Sequence, residues 1–209
     1  MNKQMILRYL NCFGEVDEKT DQLINECIQE VQEVAQFKTT SYTFELQHHP
    51  LRIKELNLEF HSQDLDNYFQ DCTHVIVEGC TLGIGIDRQT KYYEKIDMAR
   101  AVVFDAVSSR YLEECQDAYE KENIQELHTY RFAPGYGDLP LELNIPLSKV
   151  LKMDKILGVS INNGGLFIPM KSMLGLIGIG AHQEKSCFSC SRKEYCELRK
   201  EGIRCFVID

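Results

Sequence analysis

The stretch Arg131-Phe132-Ala133-Pro134-Gly135-Tyr136-Gly137-Asp138 gathers a fixed cation, a stiff proline and two glycines into one short turn. Gly135 and Gly137 carry no Cβ, so the main chain there can approach a ligand or take positive φ, and Pro134 fixes its own φ while restricting Ala133. Arg131 brings a permanent charge with a planar fork that suits a carboxylate. Tyr136 adds an aromatic ring with one polar tip. A turn of this make-up can offer backbone, one charge and one phenol to a small ligand; on residue types alone it also reads as an ordinary Pro/Gly turn beside a surface arginine. The six histidines, His48-His49 among them, sit mostly in strand edges or loops, and no Ser/His/Asp or Cys/His arrangement stands out.

The second group with chemical potential is at the end of the chain. Cys187-Phe188-Ser189-Cys190, then Cys196 and Cys205, are embedded among Lys185, Arg192, Lys193, Arg199, Lys200 and Arg204. Soft ligands at this spacing suit zinc or an iron–sulfur cluster, and the basic neighbours favour thiolates. The same residues also fit a redox-active Cys187/Cys190 pair or an inert tail. The other five of the nine cysteines are scattered: Cys27, Cys72, Cys80 and Cys115 fall in segments that read as helix or strand and Cys12 follows a first short helix, as small hydrophobes of a reduced compartment do.

The elements that must hold these groups can be read from periodicity. Residues 3 to 10 form a short helix, and Thr20 to Gln36 a longer amphipathic one capped near Thr20, with Leu23, Ile24, Cys27, Ile28, Val31 and Val34 at helical spacing. Residues 41 to 47 and 51 to 60 alternate as strands on either side of Pro50. A helix from about 63 to 71 precedes an apolar strand, His74 to Val77. Leu82 to about Glu122 reads as two helices broken near Tyr92 to Lys95, the second carrying an apolar face broad enough to lie against a sheet. A short strand, 124 to 131, enters the Arg131 turn; a helix starts at Ser148 and ends near Gly158; Val159 to Ile168 and Ser172 to Ile179 read as a final antiparallel pair around Pro169. This order predicts an α+β fold with a mostly antiparallel sheet packed with long helices. Its divisions are an N-terminal α/β region, 1–72, of the same domain as the core, 73–182, and a cysteine-rich tail, 183–209.

Charge narrows the partners. With 23 basic and 32 acidic residues the net charge is -9, which argues against nonspecific binding to nucleic acid or to an anionic membrane. No apolar run approaches the ~18 residues of a membrane span, and no long apolar region follows the N-terminus, so a cytoplasmic protein is expected.

The Arg131 turn resembles the Arg-x-x-Pro-Gly-Tyr loop of the activation domain of cobalamin-dependent methionine synthase. Phe167-Ile168-Pro169-Met170-Lys171-Ser172 is similar to that family's Met-x-Pro-x-x-Ser segment, and Thr81-Leu82-Gly83 with Asp87-Arg88 resembles a helix-start element of its short, free-standing relatives. The resemblance covers roughly residues 75 to 180. It implies a pocket for S-adenosylmethionine in which Arg131 holds the carboxylate and Ala133 and Gly135 offer backbone groups. Tyr136 would approach both cofactor and corrin, and Asp105 and Glu126 are the nearest acids to face the cationic part. Neither acid is in register with the family's acidic positions, and Asn162-Asn163-Gly164-Gly165 departs from the family's Thr-Glu-Ser-like segment.

The implied chemistry is reductive methylation of oxidised cobalamin, accessory to a methyltransferase and carried out by proximity and orientation. The chain has no Asp-x-His-x-x-Gly cobalamin signature. The resemblance therefore implies a module meeting the cobalamin of methionine synthase, or of another corrinoid protein, in trans, with flavodoxin or ferredoxin as electron donor. A reductive activator of another corrinoid protein, with a metal or iron–sulfur tail, and a non-catalytic binding partner are the alternatives.

Overall fold

Helices form in this chain where apolar residues recur at helical spacing behind a polar cap. In the computed structural model, which describes residues 1–12 and 16–181, α1 (Lys3–Tyr9) starts at Asn2, whose side chain accepts from Gln4 N. The next helix, α2 (Glu18–Val34), starts two residues before the expected Thr20. Its cap is Asp17, which accepts from Thr20 N at 2.7 Å, and the acids Glu18 and Asp21 in the first turn complement the helix dipole. Ile24, Cys27 and Val31 form its buried stripe.

The first strand, β1 (Lys38–Gln47), is followed by two short ones, β2 (Arg52–Ile53) and β3 (Leu58–Glu59). The expected single strand over 51–60 is broken by a 3-10 turn at Lys54–Leu56, after which Asn57 takes a left-handed φ of 48°. Then come α3 (Gln63–Phe69) and β4 (His74–Thr81), twice the expected strand length. The two helices α4 (Ile84–Ile96) and α5 (Met98–Asn123) break at Asp97, which caps α5 through Arg100 N. With 26 residues α5 runs about 39 Å. A 3-10 turn leads directly into α6 (Asn144–Val150), which begins four residues before the expected Ser148, and α7 (Met153–Ile156) follows.

The last strands differ most from expectation. β5 (Ser160–Ile161) pairs with β6 (Phe167–Ile168) as a small separate hairpin, whereas β7 (Ser172–Ile179) joins the main sheet beside β4. The main sheet has the order β3-β2-β1-β4-β7 and every pairing is antiparallel. The fold is α+β, with a mostly antiparallel sheet packed with long helices. β1, from the N-terminal region, and β4 share an eight-pair ladder from Lys38↔Thr81 to Glu45↔His74.

Successive strand residues point to opposite faces, and the cores divide accordingly. Val75, Val77, Leu174 and Leu176 join α3, α6 and α7 in one apolar cluster with Leu65, Phe69, Leu147 and Met153. Cys80, with Met173 packed beside it, joins α1, α2, α4 and α5 in a second cluster around Ile24, Val31, Phe104 and Val107. Cys27, Cys72 and Cys80 are buried, and burial pushes their thiols up, those of Cys27 and Cys72 to about 11.

Candidate functional site

The stretch expected as a strand over 124–131 lies against the outer edge of β7. Phe132 and Leu176 exchange both backbone hydrogen bonds at 2.8 Å, Thr129 N donates to Gly178 O, and Gly180 N to Leu127 O. From His128 to Phe132 is four steps, against three from the partners Ile179 to Leu176. One extra residue on one side is the geometry of a β-bulge, which re-aims side chains. Phe132 enters the apolar cluster with Leu176, while Arg131 turns to the α5 face. There the arginine stem lies over Gly175, where any Cβ would stand 3.2 Å from Arg131 Cδ.

Arg131 is only 6% exposed. One terminal nitrogen of its guanidinium donates to Glu120 and the other to Asp117 at 2.5 Å, and the group stacks on the Tyr130 ring at 4.8 Å. Burial opposes the charge, but Tyr130, Glu120 and Asp117 outweigh it and hold the guanidinium protonated. Behind this pair Glu78 of β4 is buried, with one oxygen accepting weakly from Thr39 at 3.4 Å and the other lacking a donor among the described residues. Burial first, and then the Glu120 carboxylate, push Glu78 up to about 8. A shift in this direction favours the protonated carboxyl, which can act as a donor where two carboxylates face each other.

Past Arg131 the chain folds back on itself. Tyr136 N donates to Ala133 O, Leu139 N to Tyr136 O and Gly135 N to Leu139 O, at 2.8 to 3.0 Å. Gly135 and Gly137 take φ of 91° and 53°, values that glycine adopts without strain. Pro134 is buried, Ala133 half-buried, and Tyr136 stands out at 44% exposure with its ring edge-on to Phe132 at 6.2 Å. The turn is thus anchored by Phe132 and Leu139 in the core and presents Gly135, Tyr136 and Gly137 outward.

The other two motif stretches meet each other. Asp87 accepts from Met170 N, Ser172 Oγ donates to Thr81 Oγ1, and Leu82 N donates to Lys171 O. Leu141 links the Arg131 turn to the hairpin, its side chain over Gly135 and its carbonyl against Gly165. Asp105 lies on α5 twelve residues before Asp117, about 18 Å along the axis, where it pairs with Lys171 at 2.7 Å. It lines a shallow groove with Tyr9, Met98 and Val102. Glu126 is exposed in the stretch after α5, and its carbonyl bonds the His128 ring. The acids that meet Arg131 are instead Asp117 and Glu120. Their i, i+3 spacing on one helix face, and an acid placed in the apolar run of Val75 to Cys80, are the signals that sequence reading passed over. Cys187, Cys190, Cys196 and Cys205 lie outside the described residues. Among those described, no group of three or more His, Cys, Asp or Glu could hold a metal, and no helix is long and apolar enough to cross a membrane.

No protein-family model matches the sequence, and neither does any curated protein. Among solved structures, the crystal structure of the MetH reactivation domain bound to AdoHcy superimposes with a TM-score of 0.65, covering 96% of this chain and 81% of that one at 13% identity. The fold is that of the MetH reactivation domain. On this fold, the turn's Arg131 guanidinium lies beside two carboxylates of α5, Asp117 and Glu120. That mixed-sign set suits a ligand bearing both a carboxylate and cationic groups, with the Asp117 side chain, 42% exposed, as the reachable member.

Proposed function

We propose that the chain is a reactivation module that binds S-adenosylmethionine and serves cobalamin carried by methionine synthase or another corrinoid protein. The observation that carries this reading is the reactivation-domain fold over 96% of the chain, with the Arg131–Asp138 turn outward at the sheet edge. Arg131 would take the ligand carboxylate in exchange for its exposed partner Asp117, and Asp117 and Glu120 would answer the ligand's positive charge. Ala133 and Gly135 would bring backbone close, and Tyr136 would cover the ligand with an exposed ring. When bound, S-adenosylmethionine supplies a methyl group. The chain's own contribution is position: no side chain acts as nucleophile.

A second reading has its own support. Both terminal nitrogens of Arg131 are engaged by internal acids, so the turn is stable as it stands, as it would be in a non-catalytic partner of a corrinoid protein.

Calorimetry with S-adenosylmethionine and S-adenosylhomocysteine decides between them. The expected result is binding to the wild type, weakened about tenfold in Tyr136→Ala by loss of one ring contact. A wild type that binds neither ligand overturns the cofactor reading and leaves the second. Tyr136 is the better probe because Arg131→Ala also strands buried acids.

A further inference from the structure

We infer that α3 is the positioning element of the ligand turn, and that Asp138, Ser62 and Tyr68 are its positioning residues. The inference rests on the ligand-binding reading above. Helix α3 belongs to the N-terminal region, yet it grips the turn at both ends. At the entry, Tyr68 OH donates to Tyr130 O at 3.2 Å and its ring packs on Phe132 at 5.4 Å. At the exit, the Asp138 carboxylate accepts from Ser62 Oγ, from Gln63 N at 2.8 Å and from Asp64 N at 3.3 Å. Ser62 Oγ in turn accepts from Leu65 N, so one relay runs from the helix backbone through the hydroxyl to Asp138.

The helix can serve as a fixed point because Leu65 and Phe69 are fully buried in the same cluster as Phe132 and Leu139. Gly137 fits closely beneath it: a Cβ at that position would collide with the Asp64 carboxylate. Two polar anchors on one core-packed helix therefore bracket the residues that would meet the ligand. A turn held in its bound shape before binding loses less ordering entropy when the ligand arrives.

The test compares Asp138→Ala, Asp138→Asn and Tyr68→Phe with Asp17→Ala, which removes a cap of the same kind from α2, away from the turn. Affinity for S-adenosylhomocysteine is read by calorimetry, and ligand-free hydrogen exchange is read at Gly135, Tyr136 and Leu139. Asp138→Ala is expected to weaken binding and speed exchange at these amides about fivefold, the effect of losing one cap. Asp138→Asn keeps one acceptor and falls between, and Tyr68→Phe acts in the same direction. Asp17→Ala lowers the melting temperature without altering either readout. If Asp138→Ala binds like the wild type, or the turn amides exchange at an unchanged rate, the positioning role is overturned. A wild type that binds no ligand defeats the cofactor reading instead, while the exchange rates still decide whether α3 holds the turn.

Discussion

Phe132 and Arg131 are neighbours on one edge segment, yet they end in opposite environments. Phe132 lies among Tyr68, Leu176 and other apolar groups on the α3 side, whereas Arg131 lies among Glu78, Asp117 and Glu120 on the α5 side. The apolar side is held by contact area and packing, which any well-fitting side chain supplies. The charged side is held by matched partners, so removal of Arg131 leaves Glu120 buried without compensation.

Truncating either residue should be the most damaging change. Phe132→Ala and Arg131→Ala are both expected to cost about 3–5 kcal/mol in denaturant unfolding, one through a cavity and the other through stranded acids. A second substitution separates them: adding Glu120→Gln should recover part of the Arg131→Ala loss by removing the stranded charge, and none of the Phe132→Ala loss.

A smaller effect comes from Glu78. Burial and the Glu120 carboxylate raise its folded-state value to about 8, above the ordinary glutamate value of 4.5. An acid raised in this way weakens the fold as pH climbs from the lower value to the higher, by up to about 1.4 kcal/mol per pH unit for one proton. Thermal unfolding should therefore become easier from pH 5 to pH 8, and Glu78→Gln should flatten that slope. An unchanged slope in the variant would assign the proton to another group.

The smallest effect sharpens the contrast between buried and surface acids. Partial burial raises the Asp138 carboxyl, but hydrogen bonds from Ser62, Gln63 and Asp64 outweigh it and hold the group below its usual range. A depressed acid stabilises above its unfolded value and loses that contribution as pH falls through the folded value. NMR titration should find Asp138 ionised into stronger acid than an ordinary aspartate, and Ser62→Ala should move it upward.

The long helices were legible because α2 and α5 repeat apolar residues at their own local period. α2 starts before Thr20 because Asp17 supplies the cap, its carboxylate accepting from Thr20 N. What escaped the sequence was pairing at a distance. β7 reads as a hairpin partner for the segment before Pro169, but its eight-residue match lies in β4, with Val77 opposite Leu176. The Arg131 turn was recognisable from its residue types, whereas its acids were not, since Asp117 and Glu120 meet Arg131 only after α5 packs against the sheet. Glu78 carried a signal in its apolar surroundings, because a charged residue in a buried strand demands a partner.

The bulged segment along β7 also determines how this protein meets others of its kind. A bare outer strand offers unpaired N–H and C=O groups to any passing chain, and β7 is flanked on that side by residues 127–132. At the opposite margin β3 has two residues, too short a template for strand addition. The turn is thereby accessible to a small molecule while the β7 edge beneath it already has its backbone partner in residues 127–132.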